Sequence, residues 1–267
     1  MSTAIHPTAI VDPAATLGHG VTVGAYTIIG PHVVIGDNSR IGPHVVIEGR
    51  TTLGEHCEVF QFASVGSNPQ DLKYHGEPST LVIGARTKIR EFVTLQPGTE
   101  HGNMTTTIGE NNLFMANSHV GHDCVVGNNN VFANSVALAG HVTIGNHVIL
   151  GGLVGVHQFV RVGDYAMLGG GSMAGQDIPP FSIGQGDRCV LRGVNIIGLK
   201  RAGFTDVQVR EIRRVYRSLF LTLGKMTDKI AQISPELADQ SHIKAMLDFA
   251  ATSQRGVASP GRNLGEL

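Results

Sequence analysis

The chain has 267 residues, which is enough for one large domain or two modest ones. Its formal net charge of −1 and its low content of charged residues, 15%, argue against a general affinity for nucleic acid or for an anionic membrane surface. Three widely spaced cysteines suggest neither a disulfide framework nor a metal motif. The first residues contain no basic segment and no long apolar run, so we expect no signal peptide, no membrane span and a cytoplasmic location.

An apolar residue recurs at every sixth position from Ile5 to Val65, often followed by one of the 35 glycines. The repeat resumes at Ile83 and runs again, one residue out of phase, from Ile108 to Ala174. A period of six is too short for a helical repeat, and the Val, Ile and Gly content disfavours helices. The pattern predicts short parallel strands joined by corners, in a solenoid whose aliphatic side chains stack along its axis.

Two segments interrupt this repeat. Residues 67–80 are polar and contain two prolines, and residues 98–107 are rich in glycine and threonine. Both are predicted to be loops that project from the solenoid. A long loop on a regular scaffold is more often functional than passive, although a passive surface insertion remains open for the first one.

Beyond Ala174 the six-residue period decays, and Pro179 and Pro180 are predicted to end the regular strand pairing. Thr205 and Gln208 form a capping box that predicts a helix from there to Gly224. One face of this helix is apolar, with Ile212, Val215, Tyr216, Leu219, Phe220 and Leu223. Another face is basic, with Arg210, Arg213, Arg214 and Arg217.

A second helix is predicted over residues 241–253, preceded by a short one that starts at Ser234 and Pro235, and the tail from Gly256 is expected to be frayed. These patterns together predict an all-β parallel β-helix over residues 1–190, with loops at 67–80 and 98–107. A C-terminal α-helical domain over residues 191–267 follows and covers the open strand edges of the solenoid.

The apolar hexads resemble the left-handed parallel β-helix of the bacterial hexapeptide-repeat acyltransferases, in which three hexads complete one coil. The left-handed sense of the coil is implied by this resemblance. With such a coil, His122, Gly140 and Gln158 occupy equivalent positions on successive turns. His119, His141 and His157 then lie close to them, so that four imidazoles gather at one height on the shaft.

Six further segments resemble, in order and spacing, the UDP-N-acetylglucosamine O-acyltransferases of lipid A biosynthesis. They are GSNPQDLKYHGEP, NSHVGHDCVVG, LAGHVTIG, VHQFVRVG, QDIPP and GVNIIGLKRAGF. The resemblance implies transfer of an (R)-3-hydroxyacyl chain from acyl carrier protein to the 3-position of UDP-N-acetylglucosamine, the first step of lipid A biosynthesis. It also implies a homotrimer with the active site between adjacent solenoids, and neither metal nor cofactor.

A sugar hydroxyl is a poor nucleophile until a base removes its proton, and imidazole suits that role near neutral pH. The resemblance implies that His122 is this base, that Asp123 orients it and that the Gly140 amide binds the oxyanion. It assigns the sugar and its phosphates to Gln70, Asp71, Lys73, His119, His141, His157 and Gln158. It also assigns the nucleotide to Asn195 and Arg201, and a limit on acyl length to Gly170.

The sequence departs from the family pattern at several nucleotide-side positions. Ile197 stands where many relatives have Glu, Ala202 where a second Arg is common, and QPGT at residues 96–99 where they read HRGT. Whether the acceptor carries a 3-hydroxyl or a 3-amino group stays open, as do other acceptors and acyl-CoA as the donor. The basic helix face either docks the acidic acyl carrier protein or is simply solvated.

Two functions of other classes also stay open. The first is a zinc site like that of the γ-type carbonic anhydrases, with three neutral imidazoles and a water on the metal. The second is a binding-only solenoid, which would need neither a histidine cluster nor a dedicated loop.

Overall fold

The structure, a computed structural model, describes residues 2–261. The strands before the first loop are β1 (Ala4–Ile5), β2 (Ile10–Val11), β3 (Thr16–Leu17), β4 (Thr22–Val23), β5 (Ile28–Ile29), β6 (Val34–Ile35), β7 (Arg40–Ile41), β8 (Val46–Ile47), β9 (Arg50–Leu53), β10 (Glu58–Val59) and β11 (Ser64–Val65). Between the loops lie β12 (Thr80–Ile83), β13 (Lys88–Ile89) and β14 (Thr94–Leu95). The remaining strands are β15 (Thr105–Ile108), β16 (Leu113–Phe114), β17 (His119–Val120), β18 (Val125–Val126), β19 (Val131–Phe132), β20 (Ala137–Leu138), β21 (Thr143–Ile144), β22 (Ile149–Leu150), β23 (Gly155–Val156), β24 (Arg161–Val162), β25 (Met167–Leu168), β26 (Met173–Ala174), β27 (Ser182–Gln185) and β28 (Val190–Val194).

These strands form three sheets, parallel except at β28, which are the three faces of a prism. Face 1 contains β1, β4, β7, β10, β13, β16, β19, β22, β25, β27 and β28; face 2 contains β2, β5, β8, β11, β14, β17, β20, β23 and β26; face 3 contains β3, β6, β9, β12, β15, β18, β21 and β24. On coils without a loop, up to β26, partners on adjacent coils are 18 residues apart, as in Ala4 paired with Thr22. The predicted coil length is therefore confirmed, and the two loops are accommodated without breaking the register.

The core of the prism consists of the hexad side chains, which point inward from every strand. From Val23 onward these residues are almost completely buried, and the rings of Phe114 and Phe132 stack inside the shaft at 4.5 Å. Ile5 is 46% exposed because no coil lies beneath the first one. The periodic signal thus identified the core correctly, with the exception of the first coil.

The solenoid continues further than the proline pair predicted. After Pro179 and Pro180, β27 still pairs in parallel with β25, and β28 then adds an antiparallel strand to face 1. The prediction that strand pairing ends at the prolines is therefore wrong, because the backbone of residues 182–185 recovers the ladder after them. Strands continue to Val194, and helices begin at Ile196.

Five helices follow within the described residues: α1 (Ile196–Arg201), α2 (Asp206–Phe220), α3 (Met226–Ala231), α4 (Pro235–Ala238) and α5 (Ser241–Ala251). The capping box of Thr205 and Gln208 is confirmed at the start of α2. The predicted end at Gly224 is wrong, since α2 ends at Phe220 and Leu223 is fully exposed outside it. The sequence did not predict α1 and α3, which are only six residues long.

The helical region packs onto the solenoid through aromatic side chains. Phe204 makes edge-on contacts with Tyr165 and Phe181, which stack along the corner between faces 3 and 1. The tail is not frayed at Gly256 as predicted, because Val257 and Pro260 form bridges with the end of the solenoid; residues 262–267 lie outside the described part of the chain. No helix within residues 2–261 has the length and apolarity needed to cross a membrane.

Candidate active site

Both loops, His122 and His141 lie at one corner of the prism, between faces 2 and 3. The loop 67–80 joins β11 to β12, and the loop 98–107 leads from β14 into β15. On the next three coils the same corner is formed by His122 and Asp123, by Gly140 and His141, and by Gln158. The loops therefore lie beside the histidines although they are distant in sequence.

His122 and Asp123 form a hydrogen-bonded pair at this corner. Adjacent residues of an extended strand point to opposite faces, but Asp123 has a φ of 59°, which turns its side chain towards His122. His122 Nδ1 lies 2.8 Å from Asp123 Oδ2. The side chain of Asp123 is completely buried and that of His122 is 17% exposed, so only the imidazole can reach a ligand.

Two residues of the second loop hold the carboxylate of Asp123. Its Oδ1 accepts hydrogen bonds from the amides of Thr99 and Asn103, and its Oδ2 accepts one from the Thr99 hydroxyl at 2.6 Å. Burial alone would raise the pKa of Asp123, but the hydrogen bonds from Thr99, His122 and Asn103 outweigh it and hold that pKa below its usual range. An ionised carboxylate only accepts hydrogen bonds, so Nδ1 of His122 carries the proton and Nε2 is available as a base.

Gly140 lies directly beside the free edge of this imidazole. A Cβ atom on Gly140 would lie 2.5 Å from both Cε1 and Nε2 of His122, so any larger residue here would displace the imidazole. The Gly140 amide has no acceptor among residues 2–261, whereas the neighbouring Ala139 amide bonds to Val156. A base and an unused backbone donor are thus adjacent, which is the combination that acyl transfer to a hydroxyl requires.

Two further histidines surround His122. The ring of His141 meets that of His122 edge-on at 5.0 Å and stacks on Phe159 at 4.5 Å. His119 Nδ1 lies 2.7 Å from the Thr94 hydroxyl on the preceding coil. Burial lowers the pKa of both His119 and His141; the charge of Asp123 partly opposes this for His141, and His122 lowers the pKa of both rings further. Both rings are therefore neutral near pH 7 and can donate or accept hydrogen bonds to a polar ligand.

The first loop brings the predicted sugar-side residues near this cluster. The carboxylate of Asp71 is close enough to His141 to raise the pKa of that imidazole, against the larger effect of burial. Gln70 and Lys73 are exposed beside it. Glu77 ties the two loops together, because its carboxylate accepts the Glu100 amide at 3.0 Å, which lowers the pKa of Glu77.

A groove of about 540 Å³ runs along face 2 next to the corner. His119 and His157 line it on the histidine side, Ala137 and Gly155 form its small-residue floor, and Met173 covers part of that floor. Gln158 is exposed beside His157. The groove is mostly apolar, which suits an acyl chain better than a phosphate.

Residues 177–258 match the family model described as UDP-N-acetylglucosamine O-acyltransferase, domain 2, and residues 2–36, 32–59 and 105–140 match that of the bacterial transferase hexapeptide repeats. The acyl-[acyl-carrier-protein]–UDP-N-acetylglucosamine O-acyltransferase of Trichlorobacter lovleyi is 54% identical over 256 residues, which cover 95% of this chain and 98% of that protein. The chain belongs to this family.

Other members agree in sequence and in fold. The Myxococcus xanthus protein of the same name is 51% identical over 253 residues, covering 95% of this chain and 98% of that protein. The structure of LpxA from Acinetobacter baumannii superimposes with a TM-score of 0.93 at 42% identity, covering 95% of this chain and 99% of that one. The predicted left-handed parallel β-helix with C-terminal helices is thereby confirmed.

Three of the residues that the family resemblance assigned to the site lie elsewhere in this O-acyltransferase family member. Asn195 and Arg201 line an apolar cavity of about 570 Å³ against face 1. Both polar atoms of the Asn195 side chain are engaged within the chain, with the Gly198 amide and the Tyr165 carbonyl. Gly170 is exposed at the corner between faces 1 and 2. A single chain therefore does not bring these residues to His122.

Among residues 2–261, one set of side chains could hold a metal ion. Potential ligand atoms of His122, Asp123 and His141 all lie within 4.8 Å of one another. Coordination by Asp123 would, however, compete with its hydrogen bonds from His122, Thr99 and Asn103. The set offers only two imidazoles, and its third member, Asp123, is already occupied by hydrogen bonds, so it fits a hydrogen-bonded catalytic pair better than a zinc site with three imidazole ligands.

The sequence did not predict the residues that hold Asp123 and the first loop in place by hydrogen bonds. Thr99 and Asn103 bind Asp123, and Gln96 bonds to the backbone of the first loop. The one available signal is the segment QPGT, which in the sequence stands out only as a departure from the family pattern. Its buried position between the two loops is visible only in the structure.

Proposed function

We propose that this chain transfers an (R)-3-hydroxyacyl group from acyl carrier protein to the 3-position of UDP-N-acetylglucosamine, the first step of lipid A biosynthesis, with His122 as the general base. The single observation that carries the role of His122 is its geometry. Asp123 fixes the proton on Nδ1, and Nε2 lies beside the Gly140 amide. Family membership supports the choice of substrates.

In this reaction Nε2 of His122 removes the proton of the sugar hydroxyl while the oxygen attacks the thioester carbonyl carbon. The carbonyl oxygen becomes an oxyanion, which the Gly140 amide stabilises. The C–S bond then breaks, and the proton on Nε2 passes to the departing thiolate. The products are the acylated sugar nucleotide and the free thiol of acyl carrier protein, and Asp123 stays ionised throughout.

The decisive experiment combines product analysis with one substitution. Mass spectrometry of reactions with a panel of acyl carrier protein thioesters and with 3-hydroxyl and 3-amino acceptor sugars identifies the product directly. His122→Ala should lower kcat by at least about 100-fold, the low end for loss of a general base, with little change in acceptor KM. The control is His32→Ala, since His32 is an exposed histidine on a distant coil.

A folded His122→Ala protein with turnover within about three-fold of wild type would exclude His122 as the base. Loss of activity together with loss of bound zinc in His122→Ala and His141→Ala would instead favour a zinc enzyme. Metal analysis of the active wild-type protein separates these cases directly.

We also propose that the active unit is a homotrimer whose sites form between adjacent chains. Asn195, Arg201 and Gly170 lie on other faces and corners than His122, so a second copy is needed to supply them. A ladder of stacked, exposed rings, Tyr26, His44, Phe62 and Phe92, follows the corner between faces 1 and 2. Exposed aromatic side chains in a continuous row support coverage by another chain.

Mixing two inactive variants tests this shared site. His122→Ala and Arg201→Ala proteins, unfolded together and refolded as mixed oligomers, should recover up to about a quarter of wild-type activity, the random share of sites with both residues intact in a cyclic trimer. Refolding each variant alone is the control. Light scattering that shows an active monomer, or mixtures with no recovery, would contradict the proposal.

The donor protein is proposed to dock on the basic face of α2. Arg210, Arg213, Arg214 and Arg217 surround a surface groove of about 430 Å³. Acyl carrier protein is acidic, so such a surface would accelerate its approach through electrostatic steering. Arg213 and Arg217 also line the cavity that contains Asn195 and Arg201, which links the docking surface to the nucleotide side of the site.

Charge reversal at Arg210 and Arg214 tests this docking, because these two arginines line the groove but not the cavity. The double Glu variant should raise the donor KM at low salt, with a smaller effect at high salt. The control reverses Arg40 and Lys88, two exposed residues of β7 and β13 on face 1, which change the net charge equally. An unchanged donor KM would show that the basic face contacts only solvent and does not dock the donor.

A further inference from the structure

Gln96 is a buried polar side chain between the two halves of the candidate site. It is only 4% exposed, although it follows β14 at the corner where the second loop begins. Its backbone amide donates to the carbonyl of Val120, two residues before His122. Its side chain points to the first loop, where it makes both of its hydrogen bonds.

These bonds join Gln96 to loop backbone on both sides of Pro69. Its Oε1 accepts the Gln70 amide at 3.2 Å, and its Nε2 lies 3.5 Å from the Asn68 carbonyl. Side-chain bonds to backbone fix the path of a loop more firmly than bonds between two flexible side chains, because the partner has no rotamers of its own. Gln70 immediately precedes Asp71, whose charge acts on His141.

We propose that Gln96 is a positioning residue that holds the first loop so that Asp71 faces the histidine cluster. This inference rests on the proposed function, since it concerns how the acceptor sugar is bound. The Gln96 side chain acts through the backbone of Gln70 and does not itself touch the reacting atoms. Its loss should therefore weaken acceptor binding and leave the His122–Asp123 pair intact.

The test replaces Gln96 with methionine, which has a similar length and no hydrogen-bonding amide. The acceptor KM should rise about five-fold, which corresponds to the loss of one hydrogen bond, while kcat and donor KM change by less than about two-fold. The matched control is Gln61→Met, since the Gln61 side chain bonds only to Glu91 near the corner between faces 1 and 2. Gln96→Glu retains an oxygen for the Gln70 amide and should recover part of the loss.

Hydrogen exchange provides an arm that does not depend on activity. In Gln96→Met the amides of residues 67–75 should exchange faster than in wild type, whereas those around Asp123 should keep their protection. An unchanged exchange rate in this loop would overturn the positioning role even if the enzyme is active. An acceptor KM within about two-fold of wild type would overturn it as well. Wild-type protein without acyl transfer would refute the proposed function and leave the exchange result to decide the role of Gln96.

Discussion

Replacing Asp123 with asparagine should remove the base without removing the fold. Oδ1 of Asp123 accepts the amides of Thr99 and Asn103, at 3.1 and 2.7 Å. A backbone amide can only donate, so the asparagine must keep its oxygen on that side and turn its NH2 group towards His122. Nδ1 of His122 then has to accept a hydrogen bond, and the ring proton moves to Nε2, the atom that faces the substrate.

The expected magnitude follows from this exchange of tautomers. With Nε2 protonated, the neutral ring cannot take the proton of the sugar hydroxyl, so kcat should fall by about 10² to 10⁴. Acceptor KM should change little, since the predicted sugar contacts are unaltered. The loss of a buried, hydrogen-bonded charge should lower the free energy of unfolding by about 1.5–3 kcal/mol at neutral pH.

The stability difference also has a defined pH dependence. Because the pKa of Asp123 is lowered in the folded state, its contribution is fully present above the ordinary pKa of aspartate and is lost as the pH falls through the lowered folded value. The gap between wild type and Asp123→Asn should therefore shrink in solution more acidic than the ordinary pKa of aspartate.

Steady-state kinetics, thermal unfolding and ¹⁵N spectra of the imidazole measure these three effects. Asp164→Asn is the matched control, because Asp164 also accepts a backbone amide, that of Asn146 at 2.7 Å, but lies at the corner between faces 3 and 1. The reasoning would be refuted by an Asp123→Asn protein with kcat within about ten-fold of wild type. A spectrum with the proton still on Nδ1 would refute it equally.

Three further substitutions test other parts of the site. Gly140→Ala should lower kcat strongly, because its Cβ would displace the His122 ring. The control is Gly152→Ala, whose Cβ meets nothing closer than 3.4 Å and whose kcat should stay near that of wild type. Equal kinetics for both variants would contradict the placement of Gly140. Burial lowers the pKa of His141, so the free energy of unfolding should fall as the pH drops below the ordinary pKa of histidine. Thermal unfolding should show a smaller fall over the same pH range in His141→Gln. Gly170→Met should shift preference to shorter acyl chains, each buried methylene being worth about 0.8 kcal/mol; an unchanged chain-length profile would remove Gly170 from the site.

Much of the fold could be predicted because its signal is local and repeated. Every coil needs inward aliphatic residues six positions apart, and away from the two loops each strand up to β26 pairs with the strand 18 residues on, so the pattern from Ile5 to Ala174 specifies the solenoid and its core. The same spacing placed His122 beside Gly140 on the next coil. The predicted roles of these residues came from the family motifs, since a periodic pattern carries no chemistry.

The remaining features depend on contacts between segments that no local pattern relates. Thr99 and Asp123 are 24 residues apart, and their bond exists because the second loop folds back onto the corner of the next coil. Strand pairing resumes after Pro180 because β25 offers its edge to β27. Helix α2 ends at Phe220 rather than Gly224, and near its end the Lys229 side chain donates to the Leu219 carbonyl. The sequence by itself thus determined the shaft, and its family motifs predict His122 as the base. Only the tertiary structure decided which buried side chains orient that base, and that Arg201 lies on another face of the chain from it.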